Sequence, residues 1–242
     1  MSMSQVSNEF RYSTELLSEY SIAALDNSKE LIEEAILLFE NSHLARSYFI
    51  AVAAIEEIGK SFLSFDAQGR NLKDSAVTAK IRNSLESHSK KINAAFHASV
   101  LSHGDLRSEL EGIIDLMIQI KHGREPSMYT DINYINQKVY RPKNVIREAA
   151  AKDCIRLAQH CLYKTERHFQ EKQPSKRSSD EDAFYGMKDR RVSELFNNED
   201  FWWFYISNME SGENDISASI VRYQREYLSK GELFKIPEGS GQ

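Results

Sequence analysis

The chain has 242 residues, a formal net charge of −5 and a hydrophobic fraction of 41%. This length allows one large domain or one domain with an extension, and the composition is typical of a globular protein rather than a disordered or fibrous one. The longest apolar run, residues 48–55, is far too short to cross a membrane. The start, MSMSQVSNEF, lacks a signal-peptide pattern. Cys154 and Cys161 lie too far apart on one predicted helix to form a disulfide. We therefore expect a reduced, cytoplasmic protein with no membrane partner.

The charge is unevenly distributed along the chain. Residues 70–91 carry a surplus of basic side chains over Asp74 and Glu86, namely Arg70, Lys73, Lys80, Arg82, Lys90 and Lys91. Residues 180–215 are predominantly acidic. A basic patch attracts phosphate, whereas an acidic region repels it. The first segment is therefore a candidate surface for nucleic acid, although an ordinary solvated face has the same pattern.

The distribution of prolines and apolar residues predicts helices in most of the chain. Prolines occur only at positions 126, 142, 174 and 237, so long stretches can be helical. Ser13 or Thr14 can cap a first helix that ends near Phe39. Further helices are predicted at residues 43–66, 74–101, 106–121 and 143–171. The tyrosine-containing segment 123–142 is predicted to be irregular with a short β-like part. These elements predict an all-α fold.

The segment after the fifth predicted helix has a different composition. Residues 173–179 read QPSKRSS, which is typical of a linker. We therefore divide the chain into a helical bundle at residues 12–172, a linker at 173–181, a mostly helical C-terminal extension at 182–236 and a disordered tail at 237–242. Two short helices are predicted in the extension. One of them contains the aromatic run Phe201–Tyr205, and such a cluster is more often core than partner surface.

The second predicted helix carries an unusual charged stretch, AVAAIEEIGKSF at residues 51–62. Two adjacent carboxylates within an apolar helix are costly unless they are paired. Glu56 and Lys60 lie one turn apart, so we predict an ion pair between them. Glu57 then needs its own partner on a neighbouring helix or in water. Gly59 costs about 1 kcal/mol relative to alanine in a helix interior, so we expect another backbone to approach closely there.

The third predicted helix carries the candidate reactive groups. Arg82 and His88 lie roughly 120° apart and about 9 Å apart along a continuous helix. They can reach one point only through the long arginine side chain or with the help of a second protomer. A histidine beside a cation such as Lys91 suits metal-independent RNA cleavage. The imidazole moves the 2′-OH proton while the cation stabilises the charged phosphorane.

Two other interpretations compete with this chemistry. His88 can instead be a core histidine bonded to Glu56 or Glu57 across the bundle. A di-metal site of the ferritin-like kind needs two Glu-x-x-His elements and two further carboxylates. Glu40 and His43 form one such element, but it straddles a predicted helix break and no second one occurs. Cysteine and histidine spacings do not resemble a zinc site. We expect neither a metal nor a cofactor.

Residues 42–63, which contain AIEEIGK, resemble the signature of the AbiV-like abortive-infection proteins. These proteins are a branch of the HEPN superfamily of helical bundles. Three further pieces are similar in the same order: ESHSKK at residues 86–91, REPSMYTD at 124–131, and the helix led by Pro142. Together they cover about residues 14–169. Thr130 stands where the family usually has valine, and the region after Pro174 has no counterpart.

The resemblance implies an antiparallel HEPN-type bundle that forms a homodimer with a composite site. Many relatives are ribonucleases in which an arginine and a polar residue precede a histidine, and Arg82, Asn83 and His88 match that pattern as catalytic residues. The supporting residues of the site are then Glu56, Glu57, Lys60, Lys91, Arg124 and Tyr129. In this assignment Glu56 pairs with Lys60, and Glu57 orients His88 or Arg82 from the adjacent helix.

The implied function is phage defence by abortive infection. The expected activity is a metal-independent endoribonuclease that cleaves RNA and arrests translation or growth. RNA is the expected substrate, and a phage-encoded activator or regulatory protein is a further candidate partner. Some relatives have lost the catalytic site and only bind. The alternative function is therefore a non-catalytic helical module that senses or sequesters a phage or host partner.

Overall fold

The computed structural model describes residues 11–98, 119–213 and 215–234. These residues are mostly helical and contain one two-stranded antiparallel sheet, so the all-α prediction is confirmed. Two compact units are present. The first consists of residues within 1–69 and 81–175, and the second of residues within 70–80 and 176–242. Within the described part of the chain, no helix has both the length and the apolar character that a membrane span requires.

The first unit is built on two long helices, α1 (Thr14–Glu40) and α2 (Leu44–Ala67). As predicted, Ser13 caps α1, because its side chain accepts a hydrogen bond from the backbone N–H of Leu16 at 3.1 Å. Ser21 Oγ donates to the Ser61 carbonyl at 2.9 Å, and Ser47 Oγ donates to the Ala35 carbonyl at 2.8 Å. Ser21 precedes Ala35 in α1, whereas its partner Ser61 follows Ser47, the partner of Ala35, in α2. The helices are therefore antiparallel.

The core of this unit lies between α1, α2 and the later helix α7 (Glu148–Glu171). Ile55 and Ile58 of α2 are fully buried there, as is Cys161 of α7. Both cysteines of the chain are free thiols. Burial raises the pKa of the Cys161 thiol to about 12, which makes it an unreactive core residue.

The predicted third helix is interrupted at Ser87. The chain forms α3 (Ser75–Glu86) and then α4 (His88–Ala95) instead of one continuous helix. Ser87 has an extended backbone, and its side chain accepts from the Lys90 N–H at 3.4 Å, which makes it the N-cap of α4. The angle of roughly 120° expected between Arg82 and His88 assumed one continuous helix, so it does not hold for two helices separated by Ser87. The end of the predicted third helix and most of the fourth lie outside the described residues.

The segment that was predicted to be irregular contains regular structure. Residues 119–128 are helical and are called α5. Strands β1 (Asp131–Asn133) and β2 (Lys138–Tyr140) then form an antiparallel hairpin, which confirms the β-like part. A short helix, α6 (Pro142–Val145), leads into α7. The helical residues 123–128 were predicted to be irregular; Pro126 is tolerated there because it lies in the last turn of α5 and removes only one donor.

The described residues between 179 and 226 form four α-helices where two were predicted. They are α8 (Ser179–Gly186), α9 (Asp189–Phe196), α10 (Glu199–Glu210) and α11 (Ile216–Glu226), followed by a 3₁₀ turn at Leu228–Lys230. Helix α8 begins inside the predicted linker, because Ser178 and Glu181 form a capping box. The predicted tail at 237–242 lies outside the described residues.

Residues 70–80 belong to this second unit rather than to the bundle. The backbone N–H of Asn71 donates to the buried Asp182 carboxylate at 2.9 Å. The aromatic run of α10 forms most of the local core, where Phe201 and Phe204 are buried against Tyr223. Trp202 is the more exposed member of the run. The preference for a core role of this cluster is therefore confirmed at its two buried phenylalanines.

Candidate active site

A single buried carboxylate, that of Glu56 on α2, gathers donors from two other helices. Its side chain is 8% exposed. One oxygen, Oε2, lies 2.7 Å from His88 Nδ1 and 3.1 Å from Lys91 Nζ, both on α4. The other oxygen, Oε1, accepts from Arg124 Nε of α5 at 2.7 Å. The charge of Glu56 is therefore compensated on both oxygens, which is the condition for burying it.

The protonation state of Glu56 follows from these contacts. Burial alone raises the pKa of this carboxyl, but hydrogen bonds from His88 and Arg124, together with the charge of Lys91, outweigh it. The pKa of Glu56 is consequently below its ordinary value, and the group is an ionised acceptor at neutral pH. The hydrogen between Glu56 and His88 therefore belongs to Nδ1. In the neutral imidazole, Nε2 is then the nitrogen that can accept a proton.

His88 is placed where a substrate can reach it. It is the first residue of α4, and its side chain is 56% exposed although its Nδ1 bonds to a buried carboxylate. The predicted alternative of a core histidine is thus only half correct, since the bond to Glu56 is present but the ring is not buried. The combination of an anchored nitrogen and an accessible one is typical of a general base.

The close approach of α4 to α2 depends on Gly59. A Cβ at this position would lie 1.8 Å from the Lys91 carbonyl oxygen and 3.1 Å from the Ala95 nitrogen. The expectation that another backbone packs there is confirmed. Glu56 lies three residues before Gly59 and therefore on the same face of α2. This contact brings His88 and Lys91 to the carboxylate.

The predicted pairing of the two glutamates is wrong. Lys60 forms its ion pair with Glu57, three residues earlier, and not with Glu56. Glu56 lies on the face of α2 that contacts α4, whereas Glu57 and Lys60 share a half-buried edge. Burial lowers the pKa of Lys60, but the hydrogen bonds and charges of Glu57 and Tyr20 together outweigh burial, so the pKa is raised overall. Glu57 and Lys60 therefore stabilise α2, and Glu56 is the carboxylate that orients His88.

Arg124 joins the site from a distant part of the sequence. Besides Glu56, its guanidinium bonds to Glu125 and lies 5.7 Å from the ring centre of Phe49. Burial lowers the pKa of Arg124, but the hydrogen bonds and negative charges of Glu56 and Glu125 together outweigh burial, so the pKa is raised overall. The side chain is therefore held as a fixed cation beside the Glu56–His88 pair. Its partner on α2 is 68 residues away, so only the family resemblance indicated a role for it.

The remaining predicted site residues, Arg82, Asn83 and Tyr129, are exposed. Among the described residues, the charged partners of Glu56 are His88, Lys91 and Arg124. Arg82 and Asn83 are exposed on α3, before the break at Ser87. Tyr129 follows α5 and is 54% exposed. Within the described ranges, no group of three or more histidine, cysteine, aspartate or glutamate side chains is arranged to hold a metal ion.

More than half of the chain matches a known protein family. A HEPN-type family model described as AbiV matches residues 16–163, which include every member of the Glu56 cluster. The chain belongs to the HEPN AbiV family. This assignment confirms the resemblance seen in the sequence, and the helical architecture agrees with it. No curated protein and no solved structure matches the chain. The HEPN AbiV match ends before α8, so residues 176–242 of the second unit lie outside it, whereas residues 70–80 of that unit lie inside it.

Proposed function

We propose that this HEPN AbiV protein is a phage-defence endoribonuclease that cleaves RNA without a metal and thereby arrests translation or growth. The observation that carries the proposal is the 2.7 Å bond between His88 Nδ1 and the buried Glu56 carboxylate. This bond fixes the tautomer and orientation of an accessible imidazole, as the carboxylate of a catalytic triad does. Lys91 and Arg124 stand beside it as cations.

The proposed reaction is an internal transfer within the RNA backbone. His88 Nε2 accepts the proton of a 2′-OH, and that oxygen attacks the adjacent phosphorus. The bond from phosphorus to the 5′-oxygen breaks, and this oxygen takes up a proton. The products are a 2′,3′-cyclic phosphate and a 5′-OH. Glu56 stabilises the imidazolium that forms, while the donors of Lys91 and Arg124 not used on Glu56 stabilise charge on the phosphorane.

A homodimer supplies the second proton-transfer group that this reaction needs. The base must be unprotonated while the acid is protonated, so the two roles require two groups in the same transition state. One chain offers one accessible histidine in the Glu56 cluster. We therefore assign the acid to the His88 of a second copy. Arg82 and Asn83 are retained as residues of this composite site, in line with the motif of the family.

The test is an RNA cleavage assay with purified protein in the presence and absence of EDTA. The expected result is EDTA-resistant cleavage that leaves 2′,3′-cyclic phosphate ends and is lost in His88→Ala and Arg82→Ala. Lys152→Ala, which changes an exposed residue of α7, serves as a control and should cleave normally. Equal cleavage by all three variants would refute the assignment. If the wild-type protein does not cleave RNA, the proposal that it is a ribonuclease on its own would be wrong.

A non-catalytic binding module is the second candidate function. The tip of the β1–β2 hairpin supports it, because Ile135 is 97% exposed and Tyr134 is 83% exposed. Apolar side chains exposed in this way are typical of surfaces that contact a partner. A protein that binds a phage or host partner and leaves RNA intact in the cleavage assay would favour this function. Under the ribonuclease proposal, the protein would also bind a phage-encoded activator or regulator, but the wild type would still cleave RNA.

A further inference from the structure

We propose that a basic groove at the start of α2 binds the backbone phosphates of single-stranded RNA, as a contact separate from the Glu56 cluster. The groove has a volume of about 430 Å³. It is lined by the residues that connect α1 to α2 and by those around α6: Ser42, His43, Leu44, Ala45, Arg46, Thr130, Arg141, Pro142 and Lys143. All of them belong to the first unit. The choice of RNA as the ligand rests on the proposed function.

The charge of the groove has one sign. Its lining includes the cations Arg46, Arg141 and Lys143 together with His43, and it contains no carboxylate. Among the described residues, none of these four side chains forms an ion pair. Asp131, a neighbouring carboxylate along the chain, accepts a hydrogen bond from the backbone N–H of Ile132 instead. A concave surface with several unpaired cations attracts a polyanion, since its field is not cancelled locally.

One of these cations is held in place. Arg46 donates through Nη1 to the Met128 carbonyl at 3.3 Å, which fixes the guanidinium between α2 and the end of α5. An arginine retains further N–H donors after one such bond and suits phosphate oxygens. Leu44 and Ala45, which open α2, also line the groove, and the first turn of this helix has no acidic residue. The helix dipole therefore adds to the positive potential that the side chains create.

Exposed aromatic rings beside the groove favour a single strand over a free phosphate. Tyr129 and Tyr140 adjoin the lining residues Thr130 and Arg141 in sequence, and both rings are exposed, at 54% and 39%. Proteins that bind single-stranded nucleic acid combine a basic groove with aromatic rings on which bases stack. A free phosphate or pyrophosphate would gain nothing from these rings.

The position of the groove suits a strand that also reaches His88. Leu44 in the groove and Glu56 in the cluster lie on the same helix, about 18 Å apart at about 1.5 Å per residue. A strand bound at both points is longer than one nucleotide. The groove therefore positions the RNA, whereas His88 acts on it, and phosphate contacts of this kind carry no base specificity.

Fluorescence anisotropy with a labelled 2′-O-methyl oligoribonucleotide tests the groove independently of cleavage. This probe lacks the attacking hydroxyl and cannot be cut by the proposed reaction. The double variant Arg141→Gln/Lys143→Gln should raise Kd about 3- to 30-fold and reduce the slope of log K against log salt by about 1. Lys152→Gln/Lys172→Gln removes the same charge from exposed positions elsewhere on the first unit and should bind normally. Tyr129→Ala should raise Kd about 5-fold or more.

The outcomes separate the groove from the proposed activity. Equal Kd values for the groove and control variants, or no binding by the wild type, would overturn the groove even if RNA is cleaved. A loss of binding confined to the groove variants would support it even if no RNA is cleaved. Displacement of the probe by inorganic phosphate beyond its effect on ionic strength would show a free-phosphate site instead. Single-stranded DNA should respond to the groove variants as RNA does, because the phosphates are the same.

Discussion

Replacing Gly59 by alanine sets two opposing effects against each other at the contact between α2 and α4. Alanine is the better helix former, and this alone would stabilise the protein by about 1 kcal/mol. The added Cβ, however, would stand 1.8 Å from the Lys91 carbonyl oxygen and 2.6 Å from its carbon. Ordinary van der Waals contacts begin near 3.4 Å. Because the obstructing atoms are backbone, α4 as a whole has to retreat.

The change in the free energy of unfolding can be estimated from the cost of overpacking. Overpacking a core costs about 1–3 kcal/mol and occasionally more, and a clash with backbone lies at the upper end. After subtracting the gain in helix propensity, we expect Gly59→Ala to lower the free energy of unfolding by about 2 kcal/mol. For a chain of this size, about 2 kcal/mol corresponds to a fall in Tm of about 4–8 °C.

Thermal unfolding followed by circular dichroism measures this change. Gly59→Ser should be at least as destabilising as Gly59→Ala, because it adds a further atom in the same place. The retreat of α4 also moves His88 from Glu56, so cleavage should fall along with stability. A higher Tm for Gly59→Ala would contradict this expectation, since helix propensity would then prevail and the α2–α4 contact would have room for the added methyl group.

Three further predictions concern the same cluster. Glu56→Gln should lower the free energy of unfolding by about 3 kcal/mol in a urea titration, because it leaves Lys91 and Arg124 without their buried counter-charge. Glu57→Gln is the matched control and should lower the free energy of unfolding by no more than about 1 kcal/mol. The pKa of Glu56 is lowered on folding, so its contribution to stability is complete above its unfolded value of about 4.3 and is lost as the pH falls through the lower folded value. The difference in stability between wild type and Glu56→Gln should therefore shrink under acid conditions, and a pH-independent difference would contradict this. Ser87→Ala should cost about 1 kcal/mol through loss of the α4 cap, while the exposed Ser89→Ala should change the urea midpoint little; equal effects would show that Ser87 does not cap the helix.

The sequence was sufficient to predict the helical class and the family, and the four residues that meet in the Glu56 cluster were among the predicted site residues. The break between α3 and α4 was not predicted, because the apolar stripe of residues 81–96 continues across it with helical spacing. The available signal was Ser87, a residue type that favours helix N-caps over helix interiors. Its side chain accepts from the Lys90 N–H, and this local bond is what makes His88 the start of a new helix.

The partner of each glutamate could not be read from spacing alone. Both three- and four-residue separations allow ion pairs on a helix, so Lys60 was sterically available to Glu56 and to Glu57. The choice depends on which face of α2 meets α4, which is tertiary information. Gly59 contained part of that information, since a glycine that admits a backbone marks the contact face. Arg124 had no such local signal, because its bond to Glu56 forms only when α5 packs beside α2.

We propose that His88, held by Glu56, is the base that cleaves RNA. The most direct measurement is the single-turnover rate of RNA cleavage by His88→Ala relative to wild type, with EDTA present throughout. We expect a fall of about 100-fold or more in His88→Ala, since a general base contributes about that much or more to a rate. A His88→Ala rate within about twofold of wild type would contradict it, and so would a wild-type protein that leaves RNA intact.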